Sequence, residues 1–168
     1  KQFACRELSL FADESAVPVL AGMLGSKETS DMARYALERI PGEAADKALL
    51  NALAGAKGMV KIGIVNSLGV RRCEAAVKAL APLATDKDKA VAEAALAALG
   101  RIGGEKAVNA LDGVKKGLAP ELGCAWADAY LLCADKMRAA GDNAGAAKRY
   151  EAIFNSEKAA NLRVAAFN

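Results

Sequence analysis

LGRIGGEKAVNAL, residues 99–111, reads as the end of one helix, a tight glycine turn and the start of a second helix. Three other segments match it: LSLFADESAVPVL from Leu8, LERIPGEAADKAL from Leu37 and LGVRRCEAAVKAL from Leu68. In all four the sixth position after the leading Leu is acidic: Glu14, Glu43, Glu74 and Glu105. The eighth is Ala16, Ala45, Ala76 and Ala107, and the twelfth is Leu20, Leu49, Leu80 and Leu111. The leading leucines stand 29, 31 and 31 residues apart. A helix–turn–helix unit recurring at such a period builds a stacked array, because one unit alone cannot bury its apolar face. The expected fold is all-α, an α-α superhelix (solenoid) of stacked helical hairpins.

Composition agrees. Alanine makes up about a quarter of the 168 residues and aromatics 5%. Ala and Leu lose little side-chain freedom in a helix, and small Ala side chains let helices approach closely. No apolar run reaches the roughly 18–20 residues that a membrane helix needs, so no membrane insertion is expected. Residue 1 is Lys, and the chain closes on NLRVAAFN, which looks like the opening of another repeat. Solenoids end in polar caps, so the expectation is a piece of a longer chain.

The connectors follow helix chemistry. Residues 2–11 are expected to form the first helix of repeat one and 14–24 its second, with Pro18 early, where its missing N–H costs least. GSKETSD (25–31) offers Thr29 or Ser30 as a cap for the next helix. Pro41-Gly42 stops that helix and turns the chain into one over about 43–54, which buries Ala45, Leu49, Ala52 and Leu53. Repeat three uses about 59–69 and 73–84, and repeat four about 88–100 and 104–117, with Asp86 or Asp88 as its cap. Val91, Ala94, Ala95, Ala98 and Leu99 form one stripe of the latter's first helix.

These four units resemble HEAT repeats, especially the short bacterial type called PBS-lyase HEAT-like. The units fall at about 1–24, 25–55, 56–85 and 86–117, and the pattern returns at 157–168. Between them, AYLLCADKMRAAGDNAGAAKRYEAIF (129–154) is similar to a tetratricopeptide repeat, a helical hairpin over 118–156. Ala134, Met137, Gly141, Ala146 and Tyr150 stand where that motif wants a small residue, an apolar one, a turn glycine, a small residue and an aromatic. Tyr130 stands where it most often has Trp.

Candidate chemistry is sparse. There is no His, and the cysteines (Cys5, Cys73, Cys124, Cys133) form no CxxC pair; zinc sites need closely paired N/S ligands. The cysteines read as small apolar residues, and no metal or cofactor is expected. Each Glu of the series falls in the first turn of a second helix, where it meets the positive end of the helix dipole. Arg39, Arg72 and Arg101 lie near the preceding turns, an arrangement that suits a ladder of exposed ion pairs between repeats. Gly100, Gly103 and Gly104 read as turn residues, since a phosphate loop should follow a strand. Trp126 reads as a packing residue.

Net charge is +3 from 23 basic and 20 acidic side chains, against the dense basic face of a nucleic-acid binder. The HEAT resemblance implies that second helices line a concave groove. Helical geometry points Lys47, Asn51, Lys78 and Asn109 away from the Ala/Leu stripe and into it. The expected function is a non-catalytic scaffold that binds a protein or peptide, or another domain of its own chain, in that groove. The alternative is an enzyme relative of the HEAT-like class, a DNA glycosylase or a bilin lyase. The glycosylase would need a basic groove with aromatics, whereas the outward set offers two lysines and no aromatic side chain.

Overall fold

A computed structural model describes residues 13–155. The helix expected over 2–11, Cys5 and the further repeat expected at 157–168 lie outside the described residues. Two compact units result, one reaching to Ala76 and one starting at Val77.

In the first unit a 3-10 turn, Glu14–Ala16, leads into α1 (Val17–Met23). Asp13 caps the turn by accepting from the Ser15 N–H at 2.9 Å, and Pro18 sits in the first turn of α1, where no intrahelical donor is lost. α2 (Ser30–Leu37) follows. The expected side-chain cap is absent there: Thr29 holds the cap position, but its hydroxyl donates to the Met23 carbonyl at 2.9 Å. The bond thus ties the connector to the end of α1. α3 (Glu43–Gly55) and α4 (Gly58–Val70) complete the unit. α2 packs on α4, and α1 on α3, giving a layer of first helices and a layer of second helices. Leu20, Leu37, Leu49, Ile64 and Leu68 fill the space between, all fully buried. Each such side chain contributes about 1.5–3 kcal/mol when removed from water.

The second unit opens with α5 (Val77–Leu80), a short helix continued by a 3-10 turn over Ala81–Thr85. The sequence places a second helix over about 73–84; the α-helical part is confined to Val77–Leu80. Pro82 explains the difference: it lacks the N–H and crowds the carbonyl four residues back, which tightens the chain into 3-10 geometry. α6 (Lys89–Ile102) is capped as expected by Asp88, which accepts from the Ala90 N–H at 3.0 Å. The Val91–Leu99 stripe is buried along its length. Gly103, at φ 71°, turns α6 directly into α7 (Gly104–Val114), a conformation that carries little penalty only without a Cβ. α8 (Gly123–Ala139) and α9 (Asn143–Phe154) form the last hairpin, with Asp142 capping the Gly145 N–H at 2.8 Å.

α8 lies against α6. Their approach is set by Gly100, where a Cβ would come 2.8 Å from the Ala129 Cα and 3.1 Å from its carbonyl oxygen. Trp126 fixes the other end of α8: its indole N–H donates to the Leu111 carbonyl at 2.9 Å, and its ring stacks on Tyr130 at 4.8 Å. The fold class is all-α. Among the described residues there is no strand, and each unit stacks its helices as an α-solenoid does.

Candidate interaction surface

The second helices owe their outward faces to the same periodicity that buries their leucines. On α3, Ala45, Leu49 and Leu53 are buried, while Lys47 and Asn51, one turn apart, are exposed. Lys47 forms an ion pair with Glu43 at 3.0 Å along its own helix. With both side chains largely in water, such a pair contributes only about 0.3–0.5 kcal/mol, and it leaves the ammonium free to exchange partners. In the second unit, Lys78 on α5 and Asn109 on α7 are exposed, and these two helices pack side by side. Structure therefore groups Lys47 with Asn51 on one helix face, and Lys78 with Asn109 on neighbouring helices.

The Glu series takes its expected positions: Glu14, Glu43, Glu74 and Glu105 all fall in first turns. The arginines behave otherwise than the ladder predicted. Arg39 lies over the Tyr35 ring, 3.7 Å from its centroid, and donates to the Tyr35 carbonyl. The linking residue is Arg71, the neighbour of Arg72. Its Nε donates to Asp46 at 2.5 Å, Nη1 to the carbonyls of Leu37 and Ile40 at 2.6 Å, and Nη2 to the Gly42 carbonyl at 2.8 Å. One guanidinium thus satisfies carbonyls at the end of α2 and in the turn beyond it, which have no intrahelical partner. Its donors form a rigid fork suited to several acceptors at once. A second polar contact joins α2 to α4: Arg34 donates to the Gly63 carbonyl and to Ser67, each at 3.1 Å, and Ser67 donates to Glu38 at 2.7 Å.

Burial keeps the Cys73 and Cys133 thiols and the Tyr130 hydroxyl protonated. It pushes the Cys133 thiol up to about 11, and it raises that of Cys73, aided by the Asp46 charge. The Tyr130 hydroxyl is pushed up to about 12, first by burial and then by Asp112. Cys73 and Cys133 are buried free thiols, as small apolar residues should be, whereas Cys124 is exposed. Among the described residues no group of three or more His, Cys, Asp and Glu could hold a metal ion. No described helix is long and apolar enough to cross a membrane.

Residues 46–116, from the first turn of α3 to just past α7, match the family model of HEAT repeats, which supports a HEAT-repeat protein. No curated protein sequence matches the chain.

Proposed function

We propose that this chain is a non-catalytic interaction scaffold. It binds a protein or peptide, or another domain of its own polypeptide, through the outward faces of its second helices: Lys47 and Asn51 on α3, Lys78 on α5 and Asn109 on α7. The observation that carries this reading is the exposure of these four polar side chains on helices whose opposite faces are fully buried. The HEAT-repeat match supports it as well, since such repeats commonly serve as protein-interaction scaffolds. We further read the repeats as the PBS-lyase HEAT-like type and the α8–α9 hairpin as tetratricopeptide-like. Ala134 and Ala146 are buried in that hairpin, and Gly141 turns it at φ 90°.

Affinity capture from native extract tests the reading, with Lys47→Glu/Lys78→Glu beside the wild type and Lys148→Glu as an exposed control. A protein held by wild type and control but lost by the double variant supports the second-helix faces. Equal capture by all three sinks the assignment of binding to those faces.

A further inference from the structure

The first unit has an open recess away from the second-helix positions above. Its volume is about 450 Å³, and Lys27, Asp31, Lys57, Gly58, Met59 and Val60 line it. Lys27 sits in the connector before α2 and Lys57 in the connector before α4. They occupy matching places in the strings Gly25-Ser26-Lys27 and Gly55-Ala56-Lys57, so the repeat itself brings two ammonium groups to one recess.

Charge and apolar surface both stand unmatched there. The Asp31 carboxylate is engaged by Arg34 at 2.5 Å, which offsets the one negative charge in the lining. Lys27 and Lys57 are exposed and have no ion-pair partner among the described residues. Met59 is 74% exposed, more than any other large apolar side chain described, while its neighbour Val60 is buried in the unit. A flexible thioether in water is an adaptable contact for a partner's apolar group. Lysine stems extend apolar surface while their ammonium groups stay at the rim.

We propose that this recess docks an acidic peptide segment of a partner protein. A glutamate or aspartate carboxylate bonds Lys27 and Lys57, and an adjacent aliphatic side chain lies on Met59. Charge complementarity selects the carboxylate, because two ammonium donors form charge-assisted bonds with it. The exposed methionine selects a peptide over an inorganic anion, which has nothing to place on it. Nucleic acid fits poorly, because residues 1–60 carry 7 basic and 8 acidic side chains and no aromatic side chain lines the recess.

The test is fluorescence anisotropy on the full chain with a labelled synthetic peptide: one leucine flanked on both sides by glutamates. A glutamine-flanked peptide and one with alanine for leucine serve as comparisons. The wild type should bind the glutamate–leucine peptide saturably, more weakly as salt rises. Lys27→Glu/Lys57→Glu should weaken binding by about tenfold or more, and Met59→Ser by roughly threefold to tenfold. Lys148→Glu and Lys47→Glu/Lys78→Glu should bind as the wild type does, so this surface stands or falls apart from the second-helix faces. All these side chains are exposed, and unchanged circular dichroism melts would certify folding. Absence of saturable binding, equal binding of the glutamine peptide, or an unaffected Lys27/Lys57 variant would each overturn the proposal.

Discussion

Arg71→Ala should be among the most damaging single substitutions in the first unit. The Arg71 side chain is 8% exposed and that of Asp46 23%. Truncation removes the carboxylate's partner and leaves the carbonyls of Leu37, Ile40 and Gly42 without their donor. A hydrogen bond to a charged group is worth about 1.5–3 kcal/mol. The four share one guanidinium and do not add, so the better bound is the cost of breaking a buried ion pair, about 3–5 kcal/mol. For a chain of this size that lowers the melting temperature by roughly 6–20 °C. Arg71→Lys should restore less than half of the loss, because an ammonium can meet Asp46 but cannot span the fork. The assay is urea unfolding followed by circular dichroism, with Arg72→Ala beside it and Asp46→Asn completing a double-mutant cycle. Arg72 is exposed and its truncation should cost under about 0.5 kcal/mol. Equal effects at 71 and 72, or a cycle with no coupling, would refute the reasoning.

Other outcomes follow from packing and protonation. Gly100→Ala places a methyl group 2.8 Å from the Ala129 Cα; despite alanine's better helix propensity it should destabilise by about 1–2 kcal/mol. Gly113→Ala, with nothing within 4 Å, should instead stabilise by about 0.5 kcal/mol, and paired thermal melts decide the two signs. Leu111→Ala should cost about 2–5 kcal/mol by opening a cavity at a fully buried site. Lys78→Glu should cost under about 0.5 kcal/mol, and the reverse order in melts would exchange the inward and outward faces. Tyr130 is held protonated, its pKa raised from 10.0 to about 12. Its contribution to stability is therefore complete below pH 10 and lost as pH climbs to about 12. Tyrosinate absorbance checks the titration, and alkaline unfolding of Tyr130→Phe should show a shallower decline.

The repeat is legible in the sequence because burial imposes its own period. Leu37, Leu68 and Leu99, with Leu20, Leu49, Leu80 and Leu111, recur in the sequence and are all fully buried. What periodicity cannot carry is the choice of partner by a long polar side chain. Arg71 and Arg72 are adjacent and chemically identical, yet one is drawn beneath the Leu37–Gly42 turn while the other takes φ 54° at the surface. Only the placement of the turn from the preceding repeat distinguishes them. Apolar spacing alone places one helix over 73–84, whereas Pro82 tightens its end into the 3-10 turn Ala81–Thr85. The exposed positions of Lys47, Asn51, Lys78 and Asn109 follow from helical spacing alone. The recess at Lys27 and Lys57 does not, since connectors have no period of their own and take their register from the helices they join.

Amide hydrogen exchange on the chain with and without a captured partner tests the binding face most directly. Protection concentrated on α3, α5 and α7 is the predicted result. Protection confined to α2, α4, α6 and α8, with the second helices unchanged, would contradict it.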